Sequence, residues 1–365
     1  MITRVLILVC SIIYSPWCLS AAQFVTKFDP ESDIYIDYSD LDIVLNGSVL
    51  KMGASAHQLS VSKLPQITGT RIKVGNPLVT RLEGNRLMFH TFSDSQVKTL
   101  AKLRDKLLKV VTYVSFEDLN RNEQLAYWLN LHNIIVLAEI ASIYPITYLK
   151  PVFDENSKDS FINRKKFYLG DEKISLLDIQ KHVTTYWKDP VVIYGFYMGA
   201  IGTPNVRNEA YQGRKVYRQL EDNAIDFVNS LRGTRYWNKS KLRISTYYLR
   251  MKSMFPNFRQ SVLAHINKYA RGKLKDKLFL LHEVDANIYD WHIADLINGR
   301  FSSPGGMYAR STQDAAGNYV NPGLRLPQHA QHILRERAKK LSRKGSVTIE
   351  VLPAEEKSDT EDDNS

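Results

Sequence analysis

The stretch that most limits what this chain can fold into is Asn120–Pro145, NRNEQLAYWLNLHNIIVLAEIASIYP. It reads as one helix. Asn120 is a strong N-cap residue, and Glu123, three positions on, has the spacing to reach back to the cap amide as in a capping box. Pro145 drives Tyr144 out of the helical region and closes the element after about 35 Å. In between, Leu125, Ala126, Trp128, Leu129, Leu131, Ile134 to Ala138 and Ile140 cover nearly the whole circumference. A helix apolar on every side is a core helix or a membrane span. Glu123, Asn130, His132, Asn133 and Glu139 would each need a partner that lipid does not supply. The expectation is a buried central helix around which the other elements pack.

At about 100° per residue, Glu123 and Asn130 share one stripe, with Asn133 beside it and His132 on nearly the opposite side above Trp128. Buried Asn and His left without hydrogen bonds would cost about 1–3 kcal/mol each. Two readings follow. In one, Asn130 and Asn133 pin neighbouring loop backbone and His132 bonds a carbonyl. In the other, the inlay lines a cleft, with His132 as base or ligand contact.

At 365 residues and 44% hydrophobic, the chain can bury one large core or two modest ones. Met1–Ala22 has the layout of a secretory signal: Arg4, an apolar run from Val5 to Tyr14, then Ser20-Ala21-Ala22. Cys10 and Cys18 both fall inside it, so the expected mature chain is cysteine-free. That would exclude disulfides, thiolate catalysis and cysteine-based metal sites together. A periplasmic or secreted location follows as an expectation.

The formal charge of +11 is partly concentrated in Arg335, Arg337, Lys339, Lys340, Arg343 and Lys344 on a helical stretch near the end. This is a solvated face or a contact for an anionic envelope surface. Export and the lack of interleaved aromatics argue against nucleic acid. The acidic tail Glu355–Ser365 has the composition of a disordered segment. The domain expectation is a signal over 1–22, a single domain over 23–300, an extension with the basic helix over 301–353 and the tail over 354–365.

Elsewhere the pattern predicts helices over Ser95–Thr112, Leu176–Thr185, Lys215–Leu231 and Ile288–Ile297. A hairpin is expected where Lys165–Leu169 and Glu172–Ser175 flank Gly170-Asp171. Strands are expected at Arg86–Thr91, Leu242–Tyr248, Val347–Leu352 and above all Val191–Met198, VVIYGFYM, which reads as a strand buried on both faces. That run empties into Gly199–Pro204, where Thr203 offers a hydroxyl and Arg207 an anion donor. The spacing is neither that of a phosphate loop nor of a dinucleotide fingerprint, so no cofactor is expected. Metal signals are poor: His329 and His332 sit one turn apart without a third ligand, and Asp37, Asp40 and Asp42 lack the glycine and distal glutamate of a calcium loop.

Taken together, Glu123-Gln124, Tyr127–Asn133 and Pro145 resemble the signature helix of the family known as domain of unknown function 547, E-x-x-A-[FY]-W-[IL]-N-x-[YH]-N. Ile174–Ile179, Gly199–Arg207 (GAIGTPNVR), Ala210-Tyr211 and Tyr289-Asp290-Trp291 resemble its later segments in order. The likeness runs from about Ile34 to Leu296. It implies that Glu123, Trp128, Asn130, His132 and Asn133 cluster with the Thr203–Arg207 loop. Where the family pattern carries cysteine in that loop, this chain has Met198 and Thr203.

The expected fold is α+β, a small mixed or antiparallel sheet packed against the central helix. Two functions are compatible with it. One is an exported, non-catalytic ligand- or partner-binding domain using Glu123, Trp128, Asn133 and Arg207. The other is a hydrolase-like envelope enzyme with Thr203 or an activated water as nucleophile, His132 as base and Asn130 orienting it or binding an oxyanion.

Overall fold

In the computed structural model, the described residues are 27–55, 57, 80, 82–236, 240–281, 283–299, four dipeptides between 302 and 320, and 328–342. The expected signal, the strand at 347–352 and the acidic tail lie outside them. Of the expected basic residues, Arg343 and Lys344 also fall outside.

The chain enters through α1 (Ser39–Ser48) and pairs β1 (Val49–Leu50) with β2 (Arg86–Leu87). Next comes α2 (Asp94–Leu108), started by Ser93 and Gln96 in a reciprocal capping box. The central helix is α3 (Arg121–Ile143), with Asn120 accepting from the N–H groups of Asn122 and Glu123. It is long and apolar enough to cross a membrane by length and composition, yet 83% of that window is buried inside the fold. Packed on α3 are α2, α4 (Leu176–Tyr186) and α5 (Val216–Val228). The hairpin β3 (Phe167–Leu169) and β4 (Glu172–Ile174) turns at Gly170, whose φ of +58° suits a residue without a Cβ.

The remaining elements are β5 (Thr234–Tyr236), β6 (Lys241–Ser245), α6 (Tyr247–Arg250), α7 (Phe258–Tyr269), α8 (Gly272–Leu278), β7 (Glu283–Ile288) and α9 (Gln328–Ser342). β6 pairs antiparallel with β5 and parallel with β7, giving a three-stranded mixed sheet. The fold is α+β, dominated by helix, as the sequence pattern implied.

Among the described residues, two expected elements are absent. Val191–Met198 is not a strand: Pro190–Gly195 forms a 3₁₀ helix, with Pro190 in its first turn and the Asp189 carboxylate accepting from Val191 N at 2.9 Å. An apolar run buried on all sides suits a buried strand and a buried helical turn equally, so its composition could not decide between them. Nor does Ile288–Ile297 form a helix. Beyond β7 it continues as an extended thread that bridges Tyr148, Ala200 and Leu87 in turn. Leu149 N donates to Trp291 O, Gly202 N to Asp290 O, Ala294 N to Gly199 O and Leu87 N to Ala294 O. This thread ties the glycine loop to the early part of the chain. Shorter than expected are the strand at 86 and the strand at 242, which end at Leu87 and Ser245.

Candidate functional site

The polar inlay of α3 is largely buried: Glu123, Asn130 and Asn133 bond to backbone of other segments, His132 bonds to side-chain amides, and Glu139 is paired with Arg164 and Lys166. Asn130 Nδ2 donates to Tyr211 O at 2.8 Å while its Oδ1 accepts from Tyr211 N at 2.9 Å. Asn133 serves the 3₁₀ segment in the same way, donating to Gly195 O and accepting from Tyr197 N at 2.9 and 3.0 Å. These bonds take the place of the ladder that a strand at 191–198 would have had. The capping box at Glu123 does not form. Its carboxylate instead accepts from Ile36 N at 3.1 Å and Gly213 N at 3.0 Å, joining two distant segments, and burial raises its pKa from the ordinary value. Gly213 is required here, because a Cβ would fall 2.8 and 2.9 Å from the N and Cα of Glu123.

His132 is fully buried. Its Nδ1 meets Asn133 Oδ1 and its Nε2 meets Gln180 Nε2, each at 3.0 Å. Asn133 Oδ1 already accepts from Tyr197, so Nδ1 carries the proton and Nε2 accepts from the Gln180 amide. Both ring nitrogens are occupied. Burial pushes its pKa down to about 4, which keeps the ring neutral. Gln180 Nε2 also reaches Met198 Sδ at 3.4 Å. Trp128, 1% exposed, packs against Phe116, Tyr127 and His182.

Arg207 is likewise engaged, with Gln219 O at 2.8 Å and Glu209 at 2.6 Å. Together with Lys215, it holds the Glu209 carboxyl down at about 2 against the effect of burial. Thr203 Oγ1 donates to Ala200 O at 2.8 Å. No hydrogen bond joins it to His132. The structure thus brings Glu123, Asn130, His132 and Asn133 onto one internal scaffold, and Thr203 bonds to none of them.

Thr203 has another neighbourhood. With Gly202 it borders an open cleft of about 410 Å³, walled by Phe153 to Asn156, Thr246, Tyr247, Arg250, Asp290 and Trp291, with Lys150 and Lys252 at its rim. Gly202 fits because a Cβ there would stand 2.7 Å from Asp290 N. The Arg250 guanidinium lies 5.5 Å over the Trp291 ring, gives Nη2 to Phe153 O at 3.1 Å and pairs with Glu155 at 2.6 Å. Burial lowers the Arg250 pKa, and Glu155 offsets part of the shift.

Beside the cleft, Asp290 accepts from Thr80 Oγ1 at 3.0 Å and from His292 N at 3.1 Å, and lies 2.9 Å from His292 Nδ1. The His292 side chain is 32% exposed. Among the described residues no group of three or more His, Cys, Asp or Glu side chains is arranged to hold a metal. Of the cleft residues, the sequence pattern pointed to Thr203 and to the Tyr289–Trp291 segment. Arg250, Glu155 and Thr246 carried no signal of their own.

Residues 116–228 match the family model described as "Protein of unknown function, DUF547". The chain carries a DUF547 domain. No curated protein and no solved structure matches it. The matched span holds α3, the hairpin, α4, the Gly199–Pro204 loop and α5. It ends before Arg250 and the Asp290–Trp291 segment, so the DUF547 region supplies only part of the cleft wall.

Proposed function

We propose that the chain is an exported, ligand-binding protein of the cell envelope, and that its small polar ligand is held in the cleft between Thr203, Arg250 and Trp291. One observation carries this reading: Glu123, Asn130, His132 and Asn133 on α3 are bonded to internal partners, whereas Arg250, Trp291 and Thr246 line an open, mixed polar and aromatic cavity of the size small ligands use. The DUF547 signature is then the frame, and the cleft beside it the site. Export is supported by the sequence pattern of Met1–Ala22. A weak envelope contact through Arg335 and Lys339 is compatible with the exposure of both.

The test is a small-molecule screen by thermal shift on the full chain, followed by mapping of any hit. Hits whose binding is lost in Trp291→Ala and kept in His132→Gln support the proposal. Hits that depend on His132 with the fold intact would sink it.

The hydrolase alternative, if it holds, moves away from His132, which has no nitrogen left to take a proton. The specific observation in its favour is the Asp290–His292 pair, in which a buried carboxylate orients a half-exposed imidazole. Turnover of a simple ester that disappears in His292→Ala, with unchanged unfolding, would favour it over pure binding.

A further inference from the structure

We infer that the cleft is built for a small organic anion, whose acidic group takes the place now held by the Glu155 carboxylate against Arg250. This rests on the cleft being the ligand site, and it specifies what that site selects. Arg250 is the fixed half of the arrangement. Its side chain is 10% exposed, anchored by Phe153 O and stacked over Trp291, so its direction is set before any ligand arrives. Nη2 is committed to Phe153 O, whereas Glu155 touches the guanidinium at Nε without an aligned hydrogen bond, so that donor is open to a carboxylate or phosphate oxygen.

Glu155 is the movable half. Its side chain is 48% exposed, while its backbone carbonyl is held by Asn163 Nδ2 at 2.7 Å. Rotation of one side chain into water therefore frees the guanidinium without rearranging the loop. Half of the Glu155 side chain is already in water, so its carboxylate swings out at little cost to itself, and the incoming acidic group supplies the charge partner that the buried Arg250 needs.

The surrounding charges favour an incoming anion. Lys150 and Lys252 stand exposed at the rim and form no ion pair among the described residues. Asp290 is turned to Thr80 and His292, and Asp154 accepts from Asn156 N at 3.0 Å. With Glu155 swung out, the cations Arg250, Lys150 and Lys252 outnumber the lining carboxylates Asp154 and Asp290 by one, and Trp291 offers a floor for the carbon skeleton.

Glu155 then acts as an internal competitor. A ligand that must displace it binds more weakly by the fraction of molecules in which the plug is out. ¹H–¹⁵N spectra of the full chain, titrated with inorganic phosphate, with succinate and with neutral glucose, read this directly at the Trp291 indole and the Thr246 amide. Glu155→Gln should tighten the favoured anion by about tenfold, since it removes the competing carboxylate and raises the fraction of molecules competent to bind. Arg250→Lys, checked for folding by urea unfolding, should weaken it at least as much despite conserving charge. Preference for phosphate or for succinate tells a phosphoryl ligand from a carboxylate.

Unchanged anion affinity in Glu155→Gln overturns the inference. Shifts at the cleft with glucose and none with either anion overturn it too, while leaving the cleft as the ligand site. No shifts at the cleft with any of the three defeat both.

Discussion

The side-chain amide of Asn130 and the backbone of Tyr211 exchange two hydrogen bonds, at 2.8 and 2.9 Å, inside the core. An amide side chain on a helix here does for an irregular segment what a neighbouring strand does in a sheet. Removing it leaves one buried N–H and one buried C=O unpaired, each worth about 1–3 kcal/mol. Asn130→Leu should therefore lower the unfolding free energy by about 2–4 kcal/mol, measured by urea denaturation. Asn133→Leu should do the same through Gly195 and Tyr197.

Three buried histidines make stability depend on pH. Burial lowers His132, His182 and His265 to about 4, against an unfolded value near 6.5. Between these values the unfolded chain binds protons that the native chain does not, so stability rises with pH. The contribution is complete above about pH 6.5 and is lost as pH falls toward 4, by at most about 1.4 kcal/mol per pH unit for each histidine. Glu123 and Asp226, both raised by burial, act with the opposite sign in the carboxylate range. Urea midpoints at pH 7.5 and 5.0 should differ clearly, and His132→Gln should reduce that difference.

Gly202 sits where the loop meets the extended thread. A Cβ at this position would lie 2.7 and 2.8 Å from Asp290 N and O, and backbone cannot rotate aside as a side-chain tip can. Gly202→Ala should lower the melting temperature by several degrees, an effect of about 2 kcal/mol or more. It should also broaden the Trp291 resonances, because the cleft wall shifts with the thread.

The basic helix α9 docks through few apolar contacts. Ala330 and Ile333 join Met52, Leu296 and Ile297 in a small second cluster, and Arg337 Nε donates to Lys51 O at 2.5 Å. Ile333→Asp would bury a charge there and should detach α9, seen as rapid trypsin cleavage after Arg335 and Arg337 while the rest resists. Unchanged protection would mean that α9 is held by something other than this cluster.

Much of the frame was legible because its determinants are local. Asn120 and Ser175 cap the helices that their positions announce, and Gly170 turns the hairpin. Val191–Met198 was misread since its backbone partners are side chains of Asn133, Asn223 and Tyr247, which lie far off in sequence. The inward role of Asn130 and Asn133 was one of the two readings available. Their choice of partners was not, because hydrogen-bond pairing across 60 to 80 positions leaves no mark on spacing. The cleft was the least legible part. Thr203 and the Tyr289–Trp291 segment stood out in the sequence, but Glu155 and Arg250 lie in separate segments and each alone resembles an ordinary surface or core residue.

If the α3 signature is architectural and the cleft is the site, His132→Gln separates the two roles when unfolding and binding of one cleft ligand are measured in the same preparation. Stability should fall by roughly 1–3 kcal/mol, as the buried bonds to Asn133 and Gln180 are disturbed, with affinity of the folded protein within twofold of wild type. Unchanged stability together with lost binding or lost turnover would contradict this and return His132 to the site.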